Sequence, residues 1–201
     1  MTAITLVTVS PLRQVFTVMI GVMIMTITSH LSIDIGPVPL TFQTLGVLTI
    51  AMALPPGRAF LSILTWMAWG VAGMPLFALF YSGAESISGP TGGYFLGMLM
   101  AAPLMSACQF RWAKFFNALV PTARFRLQEG NAPLNFPASM VVGIIGSVVI
   151  LFCGWAYLAW YYCGCNAALE SGVYPFLLPS VLKVVLSACI ISGFKLSKIG
   201  A

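Results

Sequence analysis

The chain has 201 residues, 60% of them hydrophobic, with nine Lys or Arg, four Asp or Glu and a formal net charge of +5. The charges fall between uncharged runs at 14–33, 35–57, 59–84, 86–110 and 131–169, each matching or exceeding the ~20 apolar residues that cross a bilayer core. That pattern excludes a soluble globular domain, and the surplus cations form no basic, aromatic-rich groove of the kind that binds nucleic acid.

Six transmembrane helices are predicted in a single domain spanning 1–201, an all-α integral membrane fold embedded in membrane lipid. The first runs from about Gln14 to Leu31. Residues 1–12 hold no cation and no small-x-small cleavage site follows, so this helix is expected to be retained rather than cleaved as a signal. The second, about Val38–Leu54, stops at Pro55-Pro56-Gly57, a strong helix terminator. The third occupies about Ala59–Gly73 and the fourth Thr91–Phe110. Between about Arg111 and Pro137 lies the one sizeable polar segment. There Trp112, Phe115, Phe116 and Leu119 are spaced for a short interfacial helix, and an irregular loop fits equally well. The fifth helix covers about Ala138–Tyr162 and the sixth Pro179–Phe194. Several of these are short, with polar or Gly/Pro-rich ends. Irregular backbone at membrane depth requires cover from protein or a water-filled cavity, which points to a pocket near one membrane face.

Lys and Arg set the expected orientation. Arg13, Arg58, Arg111, Lys114, Arg124, Arg126, Lys195 and Lys198 share one side if both termini are cytoplasmic, whereas Asp34, Glu85 and Glu170 mark the outer loops.

Chemistry beyond binding finds little support. The chain has no Gly-x-x-x-x-Gly-Lys-Ser/Thr run for a nucleotide phosphate, and its single histidine, His30, rules out a His-rich metal site. His30 reads as the polar end of a helix at the outer interface. No metal and no cofactor are expected. Cys108, Cys153 and Cys189 fall within spans as small packing residues. Cys163 and Cys165 form a Cys-Gly-Cys at an outer helix end, where unpaired packing is the default and a disulfide or metal contact the alternative.

Three segments depart from generic membrane helices. In Val38-Pro39-Leu40-Thr41-Phe42-Gln43-Thr44-Leu45 the prolines fix an extended approach, and Thr41, Gln43 and Thr44 crowd hydrogen-bonding groups at a helix start. Capping accounts for the threonines, but Gln43 is costly to bury without a partner. In Gly89-Pro90-Thr91-Gly92-Gly93-Tyr94-Phe95-Leu96-Gly97, Thr91 is placed to cap a helix whose N–H groups suit an anion, and Tyr94 offers a ring and a hydroxyl. Gly93, Gly97 and Ala101 also form a smooth stripe for a neighbouring helix. In Pro175-Phe176-Leu177-Leu178-Pro179-Ser180-Val181-Leu182-Lys183, Pro179 suits a first helical turn and puts Lys183 about one turn inside. Lys183 then either faces a buried polar partner or snorkels to the outer headgroups. All three segments begin helices at the outer face. Together they describe a site for a small polar molecule with a carboxylate, captured from outside.

These segments, with Gly73-Met74-Pro75-Leu76-Phe77, resemble the BioY family, the biotin-binding S components of energy-coupling-factor (ECF) transporters. The likeness covers most of the chain and is most specific over 38–97. It implies an S-component-like six-helix bundle in the bacterial cytoplasmic membrane that binds biotin and is not an enzyme. It further implies partners: a transmembrane coupling protein and two ATPase subunits. Carried over by motif position, the substrate-binding residues are Thr41, Gln43, Tyr94, Ser180 and Lys183.

The chain departs from the family at two places. BioY sequences commonly carry Asp three residues before the sixth-helix Lys, where this chain has Ser180. A hydroxyl replaces a hydrogen bond of that carboxylate but not its charge, and Glu85 in the outer loop is the candidate to compensate. S components often present Ala-x-x-x-Ala on the first helix to the coupling protein. Here Thr17-x-x-x-Gly21 stands there, so docking is expected on that face. The alternatives are an S component for another vitamin or a stand-alone biotin facilitator. An intramembrane enzyme lacks an acid–base pair or activated nucleophile, and a water-filled channel lacks recurring polar faces.

Overall fold

In a computed structural model of the chain, residues 11–34, 38–119, 136–162 and 164–197 are described. Helix α1 spans Pro11–His30, and the chain then doubles back through β1 (Ser32–Ile33) and β2 (Leu40–Thr41). These strands form a two-residue antiparallel ribbon with Ser32 opposite Thr41 and Ile33 opposite Leu40. There follow α2 (Gln43–Ala53), α3 (Pro56–Val71), a one-turn 3-10 segment at Ala78–Phe80 and the short α4 (Glu85–Ser88). The remainder is α5 (Gly92–Leu119), α6 (Phe136–Tyr161), α7 (Cys165–Gly172) and α8 (Tyr174–Ser197). The fold is mostly helical. Among the described residues three stretches are long and apolar enough to cross a bilayer, namely α1, α6 and Tyr174–Ser192 of α8.

Several boundaries differ from expectation, each for a physical reason. Helix α2 starts at Gln43 rather than near Val38, because Leu40 and Thr41 are extended and pair with β1, and Phe42 makes the turn into the helix. Its 11 residues reach ~16 Å at ~1.5 Å per residue, about half of a ~30 Å hydrocarbon core. Pro55 and Pro56 lack the N–H donors that would serve the carbonyls of Ala51 and Met52. Neighbouring α5 serves one of these and the helix end beyond: Gln109 Nε2 donates to Met52 O and Ser106 Oγ to Leu54 O, both at 2.6 Å.

The region after Phe110 neither breaks nor turns at once, since the backbone of α5 stays helical through Leu119. Helix α8 begins at Tyr174, so Pro175 occupies the first turn, where its missing N–H costs little, and Pro179 lies inside the helix. Lys183 is therefore deeper along its helix than the sequence suggests.

Small residues set the helix contacts. The Gly93, Gly97 and Ala101 stripe of α5 packs on α6, where a Cβ on Gly97 would lie 2.9 Å from Ile150 Cα. The packing reading of that stripe therefore holds. Gly21 of α1 is buried against α3, where a Cβ would sit 2.6 Å from Ser62 Cβ, and Arg58 Nη1 donates to Thr17 Oγ1 at 3.3 Å. The expectation that Thr17 and Gly21 form an outward docking face is corrected accordingly. This pair holds α1 to α3.

Helix α3 ends in a Schellman arrangement. Met74 N donates to Trp69 O and Gly73 N to Gly70 O at 3.1 and 3.2 Å, and Gly73 takes a φ of 105°, which a residue with a Cβ rarely adopts. The turn sends Phe77 back into the core, where it meets Trp66 and Phe95 at centroid distances of 5.1 and 4.9 Å. Trp66 Nε1 donates to Leu76 O at 3.2 Å, so the ring also fixes the returning backbone. Leu79 and Phe80 adopt positive φ angles of 56° and 62°, a conformation costing about 1–3 kcal/mol per non-glycine residue. Helix α1 and its following strand hold it in place: Leu79 N donates to Ser32 Oγ at 3.3 Å, and His30 stacks on Phe80 at 4.2 Å while its Nε2 lies 3.0 Å from Pro75 O. His30 thus closes the end of α1 against this loop.

Candidate functional site

The segments just described enclose a cavity of about 320 Å³, the size of a small-molecule site. Its wall includes Thr41, Gln43, Glu85, Tyr94, Ser180 and Lys183, so the six residues singled out from sequence converge on one space. They reach it from β2, α2, α4, α5 and α8.

Lys183 anchors the arrangement. It is only 4% exposed, which excludes snorkelling to the headgroups. Its Nζ donates to Thr41 O at 2.6 Å and lies 5.8 Å from the centre of the Phe42 ring. An ammonium has three N–H donors, and a neutral carbonyl with an aromatic face compensates a buried charge only in part. An anionic or strongly polar group in the cavity would complete it.

The burial cost of Gln43 is met. Gln43 Nε2 donates to Ser29 Oγ at 2.6 Å, and Gln43 Oε1 accepts from Thr41 Oγ1 at 3.0 Å. This buried chain joins α1, β2 and the start of α2, and it presents the Thr41 carbonyl to Lys183. Gln43 therefore acts on the site through the positions of Thr41 and Ser29 as well as through its own place in the wall.

Tyr94 offers its ring rather than its hydroxyl, because Oη donates to Gly172 O at 2.5 Å. The ring rests on Gly154 of α6, where a side chain would collide with it, and lies 6.0 Å from the Phe176 ring. Thr91 does not cap with its side chain. Its Oγ1 donates to Ser86 O at 2.8 Å, tying α4 to the start of α5. At the start of α5 several backbone donors that would suit an anion are already engaged: Gly92 N donates to Gly89 O, and Tyr94 N and Phe95 N donate to Thr91 O, at 3.0–3.4 Å.

Ser180 is buried on α8, three residues before Lys183, whereas Glu85 is exposed at the start of α4. Both line the cavity, Ser180 within and Glu85 at the mouth, where Asp34 adds a second carboxylate. Ser147 of α6 was not foreseen. It lines the same cavity, is 5% exposed, and its hydroxyl has no hydrogen-bond partner. Nothing in its apolar, glycine-rich run distinguishes it from a packing serine. Cys163 lies outside the described residues; Cys165 is exposed with a free thiol, and among the described residues no cluster of metal-ligating side chains occurs.

The model of the BioY family matches residues 2–198. A probable biotin transporter BioY of Pyrococcus horikoshii is 32% identical over 178 residues, 89% of this chain and 93% of that protein. The biotin transporter BioY of Thermotoga maritima is 27% identical over 179 residues, 89% of this chain and 94% of its own length. Among solved structures, the crystal structure of the S-component for biotin from an ECF-type ABC transporter shares the fold, with a TM-score of 0.73. Identity there is 22%, with 93% of this chain and 94% of that one covered.

Proposed function

The chain is a membrane protein of the BioY family, and we propose that it is the biotin-capturing S component of an ECF-type uptake transporter. The observation that carries this reading is the buried Lys183–Thr41 contact in the wall of a small-molecule cavity, which joins the 38–97 stretch of most specific family likeness to α8. Biotin's fused rings and valeryl chain need apolar and aromatic walls, which Tyr94, Phe95 and Phe176 supply. Its ureido and carboxylate groups need donors and acceptors, and Lys183, Ser180, Thr41 and Gln43 provide both. Glu85 stands at the entrance.

In this reading the chain is one membrane domain with six spans, α1, α2, α3, α5, α6 and α8, and both termini face the cytoplasm. The cations other than Lys183 then lie inside and the cavity opens outward. The location is the bacterial cytoplasmic membrane. Because the sequence has no phosphate-binding loop, energy comes from partners: a transmembrane coupling protein and two ATPase subunits. The role is transport and not catalysis, as the names of the relatives also indicate.

Uptake of labelled biotin in cells that cannot otherwise import it tests the reading. Expression with the coupling protein and ATPases should give concentrative uptake that fails when the ATPases are inactivated. Concentrative uptake by the chain alone would overturn the S-component assignment. One observation favours a second reading, an S component for a different vitamin: Ser180 occupies the site with a neutral hydroxyl beside Lys183.

A further inference from the structure

We infer that Ser147 is a ligand-binding residue, whose hydroxyl, together with that of Ser180, holds the cyclic urea of biotin. The inference rests on the biotin reading above.

Hydroxyls on membrane helices normally satisfy themselves by bonding back one turn. Thr26 Oγ1 donates to Val22 O, Thr49 Oγ1 to Leu45 O and Ser62 Oγ to Arg58 O, at 2.8–2.9 Å. Ser147 makes no such bond, although its Oγ is shielded from solvent. Among the described residues Gln109, Ser139, Trp155 and Ser192 also carry buried unpartnered polar atoms. Of these five residues Ser147 alone lines the cavity. A buried hydroxyl left unpaired costs free energy, which a ligand atom can recover.

Helix packing brings Ser147 to the level of Ser180. A Cβ on Gly143 of α6 would lie 2.9 Å from Val184 Cγ1 of α8, and a Cβ on Gly172, just before α8, would lie 2.6 Å from Leu158 Cδ2. The two helices therefore run antiparallel, and one turn along α6 from Gly143 corresponds to about one turn back along α8 from Val184. Ser147 and Ser180 thus stand at matching heights in the same wall, and Lys183 follows Ser180 by three residues on α8.

The chemistry selects the urea. A carboxylate offers only acceptors and uses only the donor half of a hydroxyl. A cyclic urea has N–H donors beside a carbonyl acceptor, and two neutral hydroxyls meet both without placing a charge in the membrane interior. The pair therefore accepts from the N–H groups, as one carboxylate at position 180 would, and adds the donor to the carbonyl that a carboxylate lacks.

The test is equilibrium binding to the purified full-length chain with Ser147→Ala, Ser147→Cys, Ser180→Ala and the double alanine variant. Biotin, dethiobiotin and biotin methyl ester serve as ligands, since all three retain the urea. Ser147→Ala is expected to weaken binding about tenfold for each ligand, an ordinary loss for one hydrogen bond at ~1.4 kcal/mol per decade. The ligand-free melting temperature should be unchanged, and Ser147→Cys, nearly the same size, should show the same loss. Wild-type affinity in both Ser147 variants would overturn the inference and leave the biotin reading intact. A loss that disappears on the methyl ester would also overturn it, by assigning Ser147 to the carboxylate. Failure of the wild-type chain to bind any of the three ligands would remove the biotin reading itself, and this inference with it.

Discussion

Lys183 Nζ donates to Thr41 O at 2.6 Å, joining two residues separated by 142 positions. The contact ties α8 to the strand end that leads into α2. It places the cavity's buried cation beside the most polar stretch of the early sequence.

Replacing Lys183 separates function from stability. Truncating one partner of a buried, hydrogen-bonded charge pair costs about 2–5 kcal/mol in binding, roughly 30- to 4,000-fold at ~1.4 kcal/mol per decade. Lys183→Met should lower biotin affinity by at least that lower bound. Because the ammonium is only partly compensated, the ligand-free melting temperature of this variant should equal or exceed that of the wild type. Calorimetric titration and a thermal melt on the same sample check both. Unaltered affinity would show that Lys183 is structural.

Gln43 carries a different load. Gln43→Leu removes the donor to Ser29 and the acceptor for Thr41, leaving two buried hydroxyls to find new partners. A buried group left unsatisfied costs about 1–3 kcal/mol. The melting temperature should therefore fall, and biotin affinity with it, as Thr41 O moves from Lys183. A variant as stable as the wild type would mean that the chain of hydrogen bonds is dispensable.

At Tyr94 the ring and the hydroxyl can be tested apart. Tyr94→Phe removes the bond to Gly172 O, with an expected loss of about 1 kcal/mol of stability and less than a threefold change in affinity. Gly154→Ala keeps the tyrosine but intrudes on the space its ring occupies, so affinity should fall about tenfold or more. Binding titrations that rank the two variants in reverse would place the ligand at the hydroxyl instead.

Gly21→Leu tests the corrected role of the α1 stripe. Because Gly21 packs directly on Ser62, overpacking should cost about 1–3 kcal/mol in stability, read as a lower melting temperature of the isolated chain. A variant that melts like the wild type but fails to join a coupling protein would restore the docking face.

The long elements were legible in the sequence because lipid imposes simple demands. Uninterrupted apolar runs predicted α1, α6 and α8, and Pro55-Pro56 marked the end of α2 because proline cannot extend the hydrogen-bond ladder. The six site residues were named from the sequence by two routes: Gln43 and Lys183 stand out as costly in an apolar setting, and Ser180 and Glu85 emerge only against the family pattern. What could not be read depends on distant partners. Whether Leu40 and Thr41 are helical is decided by pairing with β1, and Pro179 remains inside a helix that starts at Tyr174. Gly21 reads equally as an outward or inward stripe until Ser62 is known to face it. Ser147 resembles any small helix residue until its missing partner and the cavity are seen together.

The most direct test is equilibrium binding of biotin to the detergent-purified chain alone, with riboflavin and thiamine as controls. The account predicts saturable, biotin-selective binding by the wild type that Lys183→Ala weakens at least 30-fold, within the ~2–5 kcal/mol range for truncating a buried charge contact. A folded sample that ignores biotin, or that binds a control vitamin more tightly, would contradict it.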